Sequence, residues 1–227
     1  MSRKFCIPGI VFLFCALVLS VLTSISLPFL TGLDIARTTV SAGKVDGQGV
    51  DQIRLGIWYS AACSYETNGD RTCGDASHGY TLFIQNSAGT ETVDIGSSWT
   101  RGLAVHPVAA VVTFIAFLMS FSQHVTITLF ASLMSFLAAM LTLIAFACDI
   151  ALYAFLKHQV DKLTDLDPTT KTGPGFWLTF VSLILLLLAG CTVCFGRRKD
   201  RLSGASSYPS YPMSSTKKPF WQRFRRN

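Results

Sequence analysis

Charge is what this sequence has least of. Of its 227 residues only 14% are Asp, Glu, Lys or Arg, while 50% are hydrophobic and the mean hydropathy is +0.44. An ordinary soluble domain carries about 25% charged residues, so the balance argues against one. Catalytic signatures are missing too: there is no HExxH, no P-loop, no dinucleotide fingerprint and no GxSxG. Asp149 stands in the apolar runs without a second carboxylate, so the paired acids of a proton pathway or intramembrane protease are absent. Neither Asn68 nor Asn86 opens an N-glycosylation sequon, and no internal repeat is found. The composition points to a membrane protein that is no enzyme, with no cofactor, no metal and no small-molecule substrate.

What is present in quantity is apolar run. Residues 1–6 make a short N-terminus, and residues 7–30 follow for 24 positions without a charge, where a membrane span needs about 20. Arg3 and Lys4 ahead of the run also suit a cleaved signal peptide, but a signal core is about 7–15 residues, and this run reads as a first helix. A second span covers residues 103–121, with Pro107 in its first turn, where the missing N–H costs little. Residues 122–124 form a tight polar turn. The third helix, residues 125–156, would be about 48 Å long at 1.5 Å per residue, against a hydrocarbon core of about 30 Å. It should project past the bilayer and leave Asp149 near the outer boundary. Small residues at Ala131, Ser135, Ala139, Ala147 and Ala151 let a neighbouring helix approach it closely, within this bundle rather than in a dimer. Residues 157–174 are a second polar loop ending in Gly173-Pro174, a helix stop and restart, and residues 175–195 are the fourth span. Residues 196–227 have no core-forming pattern and read as a disordered basic tail.

The sparse charges are unevenly placed. The two ends carry eleven Lys or Arg, nine of them in the tail, whereas the 72-residue loop 31–102 has five basic and eight acidic residues. The positive-inside rule then puts both termini in the cytoplasm and both polar loops outside. Inside the long loop, residues 53–59, 79–85 and 90–95 alternate β-branched and aromatic residues between turn formers, with a weaker strand at 36–41. A small antiparallel sheet is expected, with Asn68-Gly69-Asp70 as a turn. Cys63 and Cys73 sit ten residues apart in this loop, on the oxidising side, and a disulfide suits a sheet too small to bury enough surface alone. Zinc is the alternative, with His78 as third ligand, but no fourth ligand stands at the usual spacing.

Gly56-Ile57-Trp58 followed by Cys63 and Cys73 resembles the first-loop mark of claudin-like tetraspan proteins, with Ile57 in place of the usual Leu and a wider gap from Trp58 to Cys63. Residues 56–63 and the segment Thr100-Arg101-Gly102-Leu103-Ala104-Val105-His106-Pro107 more closely resemble the fungal PalI family, relatives of the eisosome tetraspan proteins. The resemblance covers about residues 5–196. It implies a left-handed four-helix bundle under a small disulfide-stapled extracellular sheet, at the plasma membrane. It also implies a role assisting ambient-pH signalling by supporting a larger seven-span sensor; the eisosome-type variant is an organiser of membrane domains and cell wall through lateral contacts between copies.

Further candidate residues follow from chemistry. Trp58 would lie where sheet meets lipid, as packing or as an anchor. His78, His106 and His158 fall at or outside the outer boundary and titrate in the physiological range, so they are candidates for pH response, though His106 also suits a simple cap of the second helix. Cys191 and Cys194 lie beside Arg197-Arg198-Lys199 and are candidates for palmitoylation or plain packing. In the tail, Lys217, Lys218, Phe220, Trp221, Arg223, Phe224, Arg225 and Arg226 interleave charge with aromatics, a pattern for anionic inner-leaflet lipid and not for nucleic acid. Beyond the bilayer, the partner expected is another multispan membrane protein or a second copy.

Overall fold

The computed structural model describes residues 6–27, 30–45, 48–57, 62–66, 68–74, 79–86, 88–122, 124–163 and 168–205. Trp58, His78 and the tail residues 217–226, expected to contact lipid, lie outside them. Helix α1 spans Cys6–Ser24, and then come strands β1 Ala36–Val45, β2 Gln48–Leu55, β3 Ala62–Tyr65, β4 Arg71–Cys73, β5 Leu82–Gln85 and β6 Thr92–Ile95. A short helix α2 (Ser97–Thr100) and a 3-10 turn (Arg101–Ala104) lead into α3, Val105–Ser120. Helix α4 spans Val125–Val160, β7 Thr169–Thr172 and α5 Pro174–Ala205. Among the described residues, four helical stretches are long and apolar enough to cross a membrane. Around α1, α3, α4 and α5 the lipid-facing sides stay apolar: Val11, Phe14, Val111, Phe114, Phe136 and Leu187 are exposed.

The helices pack in a ring, each neighbour antiparallel to the next because the connections are short or return through the cap. Their shared core is built from Ala16, Ala116, Ala138, Ala139 and Ala189, with Leu13 and Leu186. Small side chains suit this place, since helices in lipid associate by close backbone approach and not by a hydrophobic drive. Ala131, Ser135 and Ala139 of the small-residue stripe are buried inside the bundle, whereas Ala147 and Ala151 face outward. Between α1 and α5 the Ser20 and Ser182 hydroxyls meet at 2.9 Å, and Ser182 also donates to the Ala16 carbonyl at 3.3 Å.

The sheet is antiparallel in the order β4-β3-β2-β1-β5-β6, with β7 also on β1. The register of β1 against β2 slips between Thr39 and Gly43. Before the slip β1 pairs with β7, Ala36 to Thr172 through Thr39 to Thr169; after it, Lys44 and Val45 pair with β5. The irregularity bends β1 so that one strand serves two partners on the same side. The sheet's inner face (Ile35, Val40, Val50, Ile53, Leu55, Leu82, Ile84, Ile95) closes over Leu152, Leu156 and Val160 of α4 and over Leu163. Helix α4 thus leaves the bundle and becomes the centre of the cap. Cys63 and Cys73 are opposite one another on β3 and β4 and are disulfide-bonded. Four apolar helices beneath a disulfide-stapled antiparallel sheet fit the claudin-like tetraspan architecture.

The strands β3, β4 and β7 carry too little alternation to be seen in sequence; their short runs are held by pairing and by the disulfide. Helix α4 ends at Val160, and α5 runs on through residues 196–205, a stretch expected to belong to the tail. Arg, Lys and Leu are good helix formers, and extending an existing helix needs no new nucleus.

Candidate functional site

Gly56 and Ile57 of the first motif, and Thr100, Gly102, Leu103 and His106 of the second, stand at one collar, where the cap sits on the bundle. The first is Gly56. A Cβ there would fall 2.7 Å from the Cβ of Leu27, which is wholly buried just past α1. The glycine lets the end of β2 lie directly against the first span, and the next amide, Ile57, donates to the Ser26 hydroxyl at 2.9 Å. Ile57 itself is buried in the cap core. Gly56→Ala is therefore expected to cost about 1–3 kcal/mol by overpacking; a lower thermal midpoint of the purified protein, with Gly190→Ala (open space) unchanged, checks it.

The second motif closes the opposite side. Thr100 is buried and its hydroxyl clamps Tyr80 twice, accepting from the Tyr80 amide at 3.1 Å and donating to the Tyr80 carbonyl at 3.0 Å. Burial pushes the Tyr80 phenol well above its ordinary range. Gly102 lets the turn approach α4, for a Cβ would sit 3.0 Å from the Cys148 sulfur. Leu103 enters the cap core. One residue past the start of α3, His106 Nε2 lies 3.0 Å from Asp149 Oδ1 on α4, with both side chains buried. His106 is thus an interhelical partner and no simple helix cap. Exposed Trp99 stacks on Phe155 at 4.2 Å, and exposed Trp177 stands at the start of α5; amphipathic rings of this kind suit a membrane boundary.

A third junction was not legible as a site. Asp34 is fully buried and forms a bidentate pair with Arg37, Nε to Oδ2 at 3.0 Å and Nη2 to Oδ1 at 2.9 Å. The hydrogen bond to Asp34 holds the Arg37 guanidinium above its ordinary pKa. Gly173 and Gly175 press on the Asp34 backbone: the Gly173 amide donates to the Ile35 carbonyl at 2.7 Å, and the Gly175 amide to the Asp34 carbonyl at 2.9 Å. Glycine on both sides of Pro174, read in the sequence only as a helix stop and restart, is the signal by which this contact could have been found. Opposite charges three residues apart, shortly after an apolar run, are the signal by which the ion pair could have been found.

The remaining candidates lie elsewhere. His158 is exposed near the end of α4, well past Asp149, the residue that His106 meets, and Cys191 is exposed near the other end of the bundle. Cys194 lies on α5, and nothing is described of its side chain. The disulfide leaves Cys63 and Cys73 no thiolate for zinc, and among the described residues no group of three His, Cys, Asp or Glu could hold a metal. What the collar can do is mechanical: it fixes the cap to the bundle at Gly56, Thr100, Gly173 and the His106–Asp149 pair.

The family model described as SUR7/PalI family matches residues 5–193, from the start of the first helix through most of the last. Among curated proteins, none matches the chain.

Proposed function

Because this chain belongs to the SUR7/PalI family, we propose that it works without catalysis, as a plasma-membrane helper that stabilises or localises a larger multispan sensor of ambient pH. The observation that carries the reading is α4. Its flank of Phe130, Leu133, Phe136, Leu137, Met140 and Leu143 is exposed through the membrane, and the same helix forms the centre of the cap. A partner lying on that flank is aligned with the cap by one continuous rod. The charge asymmetry supports cytoplasmic termini and a cap outside. On that orientation Cys191 and Cys194 sit by the inner leaflet as palmitoylation candidates, and the tail residues 217–226 contact anionic lipid, each charge contributing about 1 kcal/mol near the surface.

A second reading is favoured by Ala147 and Ala151, which leave the cap end of the α4 flank low and open. Such a surface suits a second copy, and hence an organiser of membrane domains through homotypic contacts. Mild-detergent pull-down of the tagged protein, with proximity labelling, at acidic and alkaline external pH separates the two. The helper reading expects a larger multispan protein whose recovery changes with pH. Recovery mainly of the chain itself and of cortical membrane proteins would replace it with the organiser.

A further inference from the structure

Strand pairing in the cap puts like charges side by side. Arg37 on β1 stands opposite Arg54 on β2 and, on its other flank, opposite Lys171 on β7. Directly opposed residues share a face of the sheet. Their neighbours Ala36, Thr38, Ile53 and Leu55 are buried on the inner side, so the three cations lie on the outer one. With strands about 4.8 Å apart, the row spans about 10 Å. Like charges directly opposite destabilise a sheet, and this sheet carries three in one line.

The charge is held in place and not cancelled. Among the described residues one carboxylate meets the row, the buried Asp34, which takes Arg37 on both oxygens. Arg54 is fixed by neutral groups. Its Nε donates to Gln52 Oε1 at 2.8 Å and its Nη1 to the Thr31 carbonyl at 2.9 Å, while the guanidinium lies 4.4 Å from the centre of the Tyr65 ring. Lys171 is exposed. The row is left two charges positive. Glu66 and Asp70 lie in the turn beyond Tyr65, on the side away from the collar.

The level of the row points to its ligand. It is the first outward-facing row above the bundle: Leu55 leads into Gly56, which abuts Leu27, and Thr172 into Gly173, which seats on Asp34. Exposed Leu30 ends the turn after α1, and exposed Trp177 stands at the start of α5, six residues past Lys171. Amphipathic rings of this kind mark the edge of the hydrocarbon, and headgroups occupy about 5–7 Å beyond it on each side. Long basic side chains follow such a surface and keep their charged ends in the polar layer. We propose that Arg37, Arg54 and Lys171 form a phosphate site for an anionic phospholipid of the leaflet beneath the cap. Arg54 and Lys171 take the phosphate; Arg37, tied to Asp34, sets their spacing. The acyl chains lie below, past Leu30 and Trp177. The site is at the opposite end of α5 from Arg197-Arg198-Lys199, and it stands whichever partner the α4 flank takes.

The test places the full chain in phosphatidylcholine nanodiscs with rising fractions of phosphatidylglycerol. Phosphatidylglycerol retained on the released protein is counted by mass spectrometry. Any lipid held by the basic tail is common to all variants, so differences report the row. Arg54→Gln/Lys171→Gln removes both uncancelled charges and should weaken retention of one lipid roughly twentyfold, at about fivefold per charge. Arg37 is left unchanged, because its loss would strand the buried Asp34 carboxylate. Lys44→Gln/Lys162→Gln removes the same charge near the far ends of β1 and α4 and should bind as wild type does. If Arg54→Gln loosens the fold, Lys171→Gln alone decides, with a fivefold loss expected. Equal losses in the two double variants would show only the overall charge of the cap and overturn the site, as would wild-type retention in Arg54→Gln/Lys171→Gln. Displacement of the lipid by inorganic phosphate at matched ionic strength would make the row a soluble-anion site and overturn the lipid assignment.

Discussion

Gly173→Ala is expected to be the most damaging single-methyl change in the collar. The added carbon would fall on the carbonyl oxygen of Asp34 and within 2.9 Å of its Cγ. Asp34 cannot withdraw: it is fully buried, both oxygens hold Arg37, and its carbonyl already accepts from Gly175. Gly173 cannot withdraw either without giving up its bond to Ile35. Backbone against backbone leaves no flexible end to move, so the cost should reach about 3 kcal/mol, the upper part of the overpacking range. The variant should show a sharply lower thermal midpoint and poor delivery to the cell surface. Gly175→Ala, whose Cβ would stand 3.0 Å from the same carbonyl, should be milder. Equal stability of Gly173→Ala and wild type would mean that β7 and its turn are not anchored on Asp34.

The second large effect is expected at the disulfide. Strand β4 has three residues, and its Arg71 and Thr72 are exposed. It pairs with β3 over three positions, and the Cys63–Cys73 bond is the covalent tie between them. Losing a bridge that closes a loop of this size costs roughly 2–3 kcal/mol in the chain-entropy model. Cys63 is also wholly buried, so the loss reaches the cap core. The double variant Cys63→Ser/Cys73→Ser removes the bond without leaving an orphan thiol. It should become protease-sensitive between residues 62 and 73 and be retained before the cell surface. Normal resistance and delivery would show that β3 and β4 hold without it.

The spans and the bonded cysteines were legible because apolar length and an isolated cysteine pair are local signals. The cap core was partly legible: residues 82–85 alternate inward and outward, as Leu82, Ile84 and exposed Phe83 show. Strand β7 was not, since Thr169-Thr170-Lys171-Thr172 takes its form from β1, far away in sequence. The site was legible as motifs but not as a place. Gly56 gave no hint that its neighbour would be Leu27, nor did His106 that it would meet Asp149. Those pairings depend on how the helices are rotated in the bundle, which residue type and spacing do not encode. Asp149 was read without its partner.

The pairing of β1 with β7 joins Thr38 to Thr170, 132 residues apart. A ribosome finishes β1 and threads two further helices before the strand that covers its edge exists. Domains made early usually fold early; this cap cannot. Until residues 169–175 have been made, β1 carries an unpaired flank and Asp34 lacks the glycine turn that seats on it. A nascent chain halted short of that point displays a sticky, half-built sheet. Completion of the cap is thus a record that the chain has been made as far as the start of its last helix.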